Sequence, residues 1–371
     1  MPEGALDGLL VADFSRVLAG PLCTQTLGDL GADVVKVERP GAGDDTRGWG
    51  PTYYLGLNRN KRSITLDLAD PADAVLARRL AERADVLVES FRPGTIDRLG
   101  LGYEAVAESN PGVVYCSISA FGSGDEAARL PGYDLLLQAM SGLMSVTGEP
   151  GGRPLKVGAA LIDMVCGLYA TTGVLAALHA RERTGRGQHV EVSLMDSALA
   201  GLLNQASAYL NAGVVPGRLG NRHPSIAPYE TFRAADGDFA VAVGNDAIFA
   251  RLCEAIGRPE LATDGRFATN VARLERREEL GAMLEDAFAA APAVEWVQRL
   301  SAAGVPAGPI NDIAQAFAFA EALGLAPVWE TEGVRTVRSP LLMGDTPASA
   351  RRHPPGLGEH DAELRAWLES G

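Results

Sequence analysis

The chain is 371 residues long, 47% hydrophobic and 22% charged, with a formal net charge of -14. So acidic a balance argues against nucleic acid or an anionic membrane surface as the main partner, although a local group of basic residues still suits an anionic small ligand. The length accommodates one large core and a smaller domain.

The opening residues MPEGALDGLL carry no basic stretch followed by an apolar one, so no export signal is expected. Residues 9–14 then form a short apolar run that suits a buried strand, 21–30 a helix, and 32–38 a second strand, which together make a strand-helix-strand unit. The turn SRVLAGP between the first strand and its helix has one glycine where a dinucleotide fingerprint needs three, so a nicotinamide cofactor is not expected. The second strand ends at Glu38-Arg39, and an arginine there suits a ribose phosphate. A solvated charge at a strand end is the other reading of Arg39. Residues 41–62 form a long polar and aromatic loop that groups Arg47, Arg59, Lys61 and Arg62, and loops of that length inside a domain are often functional.

A strand at 63–68, a helix opened by Asp70-Pro71 with proline at its first position, and a strand at 85–89 continue the alternation. Ser90-Phe91-Arg92-Pro93-Gly94 follows at the C-terminal end of that strand, the edge where open parallel sheets bind ligands. Phe91 offers a face for stacking on a base, and Arg98 lies one turn into the next helix. With a further strand at 112–119 and a helix at 132–143, the fold class expected for this half is a doubly wound α/β sheet.

Residues 157–178 are apolar or small at almost every position, and their single formal charge is Asp163. Apolar residues at helical spacing occupy more than one face, so the stretch reads as a helix buried all round. An isolated ionised carboxylate there costs several kcal/mol, on the order of the desolvation of any buried charge, unless something compensates it. A membrane span is one explanation, but a central Asp penalises insertion by roughly 2.5 to 3.5 kcal/mol and no basic loop flanks it. Two others stay open on the residues alone. Either 158–160 is a loop and Asp163 caps the first helical turn, or the carboxylate is a nucleophile kept poorly hydrated for attack on a carbonyl.

Beyond it, 188–194 alternates as a strand, and Asp196 is expected to cap a helix running to about residue 211. The Gly- and Pro-rich segment 213–228 marks a crossing into a second domain, with strands at 229–232 and 238–243 and helices at 246–256, 271–290 and 293–303. Residues 304–327 link back to a strand at 334–337 and a helix at 360–368. The expected division is a large domain of 1–212 completed by 328–371, and a small domain of 213–327. Cys23, Cys116, Cys166 and Cys253 lack the paired spacing of metal or redox sites and are expected as reduced core residues of a cytoplasmic protein.

The stretches DFSRVLAGP (13–21), LGDLGADVVKVERPGAGDDTR (27–47), NRNKRSITLDL (58–68), VESFRPG (88–94), KVGAALIDMVCGLYA (156–170), TGRGQHVEVSLMDS (184–197) and GNRHPSIAPYETF (220–232) follow one another in an order that resembles the family III CoA transferases. The resemblance implies a Rossmann-like large domain made from both chain ends, a smaller α+β domain, and a homodimer of two interlocked rings. It also implies that Asp163 is the nucleophile, which takes CoA from an acyl-CoA donor as an aspartyl-CoA thioester and passes it to a carboxylic acid. Coenzyme A is then a substrate, and neither a resident cofactor nor a metal is implied.

The same resemblance puts Val17, Arg39, Leu66, Ser90, Phe91 and Arg98 around CoA, with Ser90 standing where asparagine is common. The loop at 121–131 lacks the family's usual GQTGP, which leaves its contact with CoA open. The branch most similar in 41–62 acts on dicarboxylic acids, so Arg47 or Arg222 is expected to pair with a second carboxylate and His223 to touch substrate. The glycine-rich loops of formyl-CoA transferases are absent, which argues against oxalate or formate. Tyr133 occupies the position where the related α-methylacyl-CoA racemases carry a histidine. A phenol with an ordinary pKa near 10 is a poor acid-base partner, so transfer is favoured over racemisation. A non-catalytic CoA-binding protein is the remaining alternative, and it would not need a buried Asp163.

Overall fold

Six short strands lie parallel in the order β3-β2-β1-β4-β5-β6. In the computed structural model, which describes residues 4–370, they run over Leu10–Phe14 (β1), Asp33–Glu38 (β2), Lys61–Thr65 (β3), Val86–Glu89 (β4), Val114–Ser119 (β5) and His189–Ser193 (β6). The helices between them are Ala19–Asp29 (α1), Pro71–Arg83 (α2), Thr95–Arg98 (α3), Tyr103–Ser109 (α4), Asp134–Met140 (α5), Leu143–Val146 (α6) and Leu161–Thr184 (α7). Successive strand residues point to opposite faces, and both faces are covered. Val11, Val34 and Val88 face a core shared with Leu27 of α1 and Cys166 and Val174 of α7. Ala12, Val35 and Leu87 face another core with Leu76 and Leu80 of α2. That two-sided burial is why β4 reads as a nearly unbroken apolar run, whereas the buried charges Asp13, Lys36 and Lys61 interrupt β1, β2 and β3.

After β6 come Leu194–Gly201 (α8) and Leu203–Ala212 (α9). Two expectations are corrected here. The cap of α8 is Ser193, whose hydroxyl accepts the Asp196 N–H at 3.0 Å, and the run to residue 211 is broken at Leu203, where the backbone turns left-handed (φ 41). Gly167 of α7 faces the Ala19 carbonyl of α1 so closely that a Cβ would lie 2.6 Å from that oxygen. Glycine is therefore required for the two helices to pack. The reading of α7 as buried all round is also corrected: Met164, Leu168 and Tyr169 are exposed. An apolar residue on every face does not say which face meets the sheet. By length and hydropathy α7 resembles a membrane span, yet its other side packs on α1, α8, β5 and β6.

The grouped basic residues of 41–62 do not form a ligand patch. Lys61 and Arg62 already belong to β3. Lys61 is fully buried, its Nζ 3.0 Å from Asp13 on β1, while Lys36 of β2 lies 2.9 Å from Asp44. Arg59 pairs with Asp29 at 2.5 Å, and Arg62 with Asp33 and, at 2.8 Å, with Glu363. Each cation is neutralised inside the fold, because a buried charge is tolerated only when paired.

The chain divides into two units. The sheet unit comprises the residues up to Leu143, Lys156–Val215, and those from Ala326 onward; the second comprises Met144–Leu155 and Pro216–Leu325. Residues 144–155, read from sequence as part of the large domain, thus lie with the second unit. It holds a three-stranded sheet of Tyr229–Arg233 (β7), Asp238–Ala242 (β8) and Ala307–Pro309 (β9). Its helices are Asp246–Ala255 (α10), Asn270–Glu275 (α11), Arg277–Phe288 (α12), Ala293–Ala302 (α13) and Ile313–Ala322 (α14). The expected helix at 271–290 is two helices, and 304–327 carries β9 and α14 instead of a plain linker. Back in the sheet unit, Val328–Thr331 (β10) and Val334–Val337 (β11) pair with each other, not with the main sheet, and Asp361–Glu369 (α15) packs on α2 and β3.

Candidate active site

The strand order reverses between β1 and β4, where Phe14 pairs with Glu89, so the loops after these two strands leave the sheet edge side by side. Open α/β sheets bind ligands at such a switch point. Side chains hold both loops. The Arg16 N–H donates to Ser90 Oγ at 3.0 Å, and the Phe91 N–H donates to Glu89 Oε2 at 2.8 Å. The Val17 N–H points at the Asp44 carboxylate, 3.3 Å from Oδ2. Val17 itself sits in the left-handed region at φ 71, where a β-branched residue is strained. Burial pushes the Glu89 carboxyl up to about 7, against the hydrogen bonds from Ser117 and the Phe91 N–H.

These loops line a cleft of about 180 Å³ whose wall includes Val17, Ser90, Phe91, Tyr133 and Asp163. Arg16 and Phe91 also border a second cavity of about 480 Å³, lined further by Arg39, Leu66 and Leu68. The two spaces therefore share a wall, with the guanidinium of Arg16 5.7 Å from the centre of the Phe91 ring.

Asp163 occupies the first turn of α7, which begins at Leu161 without a local side-chain cap. The cap comes from elsewhere. Asp134, the first residue of α5, accepts the Ile162 N–H at 2.8 Å and the Asp163 N–H at 3.4 Å through Oδ1, while its Oδ2 accepts from Gln138 at 2.6 Å. Gln138 in turn accepts the Val157 N–H at 2.8 Å and fixes the loop leading into α7. Asp163 is thus relieved of capping, and its side chain has no hydrogen bond or ion pair among the described residues. The helix dipole favours its charge, but burial and then the neighbouring Asp134 charge outweigh that and push the carboxyl up to about 7. The phenol of Tyr53 is raised by its own burial and by the Asp163 and Asp134 charges, which puts the 41–62 loop beside the carboxylates.

Asp134→Asn separates these effects, because asparagine caps as well as aspartate but carries no charge. The Asp163 carboxyl, followed by NMR of its carboxyl carbon, is expected to titrate lower than in the parent by a few tenths to about one pH unit. An unmoved midpoint would remove Asp134 as a cause.

Val17, Ser90, Phe91, Tyr133 and Asp163 come together in the cleft, and Arg39 and Leu66 join Phe91 in the adjoining cavity. Arg39 is also paired with Asp45 at 2.5 Å. Arg98 lines neither space and donates to Thr95 Oγ1 at 3.2 Å. Arg47 is not open to a second substrate carboxylate: it grips both oxygens of Glu38 at 2.7 Å and lies over the Tyr54 ring. Arg222 and His223 belong to the second unit. There Arg222 is held by Glu230 at 3.0 Å and by Glu278, and His223 Nδ1 accepts the Ser225 N–H at 3.1 Å. Sequence reasoning gave no role to Asp134, Arg16 or Arg92. A cap supplied from 27 residues upstream leaves no local signal.

Residues 6–361 match the model of CoA-transferase family III. The chain is 43% identical to a succinate–glutarate CoA-transferase of Agrobacterium fabrum and 42% identical to an acetyl-CoA:oxalate CoA-transferase of Acetobacter aceti. Each match covers 98% of this chain and 96% of the relative. A crystal structure of a CAIB/BAIF family protein from Brucella suis, 43% identical, superposes with a TM-score of 0.90 over 99% of this chain and 100% of that one.

Proposed function

Because the chain belongs to CoA-transferase family III, and is a CoA-transferase, we propose that Asp163 carries CoA covalently from an acyl-CoA donor to a dicarboxylic acid acceptor. The observation that carries this reading is a carboxylate in the cleft without a hydrogen bond among the described residues and titrating near neutrality. Such a group is poorly solvated and reactive once ionised.

A carboxylate oxygen of Asp163 attacks the thioester carbonyl of the donor, and the C–S bond breaks to release CoA thiolate and leave a mixed anhydride. The thiolate attacks the aspartyl carbonyl, expels the donor carboxylate and forms the aspartyl-CoA thioester. The acceptor carboxylate then displaces the thiolate to give a second anhydride. Attack by the thiolate on its acyl carbon frees Asp163 and the new acyl-CoA. No water or net proton enters the cycle, so exclusion of water is the main demand on the site.

A CoA position consistent with this chemistry runs its nucleotide along the cavity of Arg39, Leu66 and Phe91 and its thioester end past Val17 and Ser90, with Arg98 available to phosphate. The 3-2-1-4-5-6 strand order supports a Rossmann-like assignment of the sheet unit. Since one relative is named for oxalate and another for glutarate, the missing glycine-rich loops are no ground for excluding oxalate. The exposed apolar residues Met164, Leu168 and Tyr169 of α7 and Leu203, Tyr209 and Leu210 of α9 support a homodimer, for which we propose the interlocked form. Four buried, unpaired cysteines suit a cytoplasmic location.

Incubation with succinyl-CoA followed by hydroxylamine tests the intermediate. The peptide holding residue 163 is expected to carry a hydroxamate. Its recovery unmodified from enzyme that is turning over would eliminate the covalent route.

A further inference from the structure

We infer that Arg92 reads the second carboxylate of the acceptor acid. This rests on the reading of Asp163 as the CoA carrier and adds the determinant of acid choice.

When one carboxylate of a dicarboxylic acid meets the aspartyl-CoA thioester, the other stays charged in a cleft from which water must be kept. It needs a cation, since an unpaired charge in such a place is expensive. The cations bordering the cleft are Arg16 and Arg92. Arg16 is engaged with Asp45 at 3.3 Å, and Arg47 and Arg222, the arginines singled out from sequence, are held by Glu38 and by Glu230 and Glu278.

Arg92 differs from all three. Its exposed side chain has no hydrogen bond or ion pair among the described residues, although Glu89, Asp97 and Glu191 line the neighbouring cavity on its other side. Its backbone is fixed. The preceding Phe91 N–H is held by Glu89, Pro93 follows, and the Arg92 carbonyl accepts the Thr95 N–H at 3.0 Å. A guanidinium on an anchored backbone with a free side chain is suited to close on a carboxylate through two parallel hydrogen bonds. A monocarboxylic acid of the same length leaves it in water and gains nothing from it.

In an exchange that passes through an aspartyl-CoA enzyme, kcat/KM for the acceptor reports only the encounter of that species with the acid. The test compares the parent, Arg92→Gln and Arg92→Lys with glutarate and with pentanoate, beside CoA binding by calorimetry. Arg92→Gln is expected to lower kcat/KM for glutarate roughly 10- to 100-fold, mainly through KM, the loss of a charge-assisted pair. Pentanoate turnover and the Kd for CoA are expected to stay as in the parent, with Arg92→Lys recovering part of the loss. An equal loss for both acids, a matching rise in the Kd for CoA, or no change with glutarate would overturn the assignment. Should Arg92→Gln fail to fold, the lysine variant carries the same comparison, since it alters the fork geometry and keeps the charge. Absence of a CoA adduct on Asp163 in the parent would instead refute the underlying mechanism, a result that needs no Arg92 variant.

Discussion

Asp163→Asn is expected to lose CoA exchange by at least about 10⁴-fold, the scale seen when a nucleophile is removed, and yet to unfold at a higher temperature than the parent at pH 8. Both effects have one cause. The carboxyl rises from 3.8 to about 7 on folding, through burial and then the charge of Asp134. A raised carboxyl pKa means that the stability linked to the neutral form is fully present below pH 3.8 and is lost as pH rises through about 7. At pH 8 the parent carries the whole penalty, on the order of 2 kcal/mol once partial exposure is allowed for, and asparagine carries none. The gain is expected to shrink as pH falls toward 5. Calorimetry across that range, paired with a CoA exchange assay, checks it; equal melting temperatures at pH 8 would mean that the carboxylate is not destabilised in the fold.

Asp13→Ala is expected to be the most damaging single change to the sheet unit, by about 3–5 kcal/mol, the range for breaking a buried ion pair from one side. Asp13, Lys36 and Lys61 are all fully buried. The Asp13 carboxylate takes the Lys61 ammonium at 3.0 Å and the Thr24 hydroxyl at 2.7 Å, with Lys36 4.0 Å away. Burial pushes the Asp13 carboxyl up, but Lys61, Lys36 and the hydroxyls of Ser15 and Thr24 outweigh it and hold the group well below the usual carboxylate range. Its stabilisation is therefore present above pH 3.8 and is lost as pH falls through the depressed folded value. Without Asp13, Lys61, already lowered to about 8 by burial, has to give up its proton or remain unpaired. Denaturant titration at pH 7 measures the loss, and adding Lys61→Met is expected to restore part of it, because the uncompensated ammonium goes too. A midpoint equal to the parent's would show that the pair contributes nothing.

The parallel sheet was readable because its central strands β1 and β4 are short, largely apolar runs, and the strand-helix alternation put Ser90 and Phe91 at the sheet's C-terminal edge. Asp163 stood out as the one charge in an apolar run. Other features depend on contacts that no local pattern encodes. Asp134 caps a helix that begins 27 residues later, so a rule that searches three positions for a cap misses it. Lys61 and Arg62 looked like loop cations because composition does not report that Asp13 and Asp33 stand opposite them. The outward face of α7 was unreadable for a related reason, since residues that meet the sheet and residues left exposed are apolar alike.

The docking of α15 also bears on how the chain matures. Leu364 and Leu368 are fully buried, and Asp361 accepts the backbone N–H of Thr65 at 2.6 Å, across 296 residues. At roughly 5–20 residues per second of translation, an interval of roughly 15–60 s separates synthesis of β3 from arrival of its final covering helix. Throughout that time the α2 side of the nascent sheet lacks its last layer, and an apolar surface waits on the ribosome.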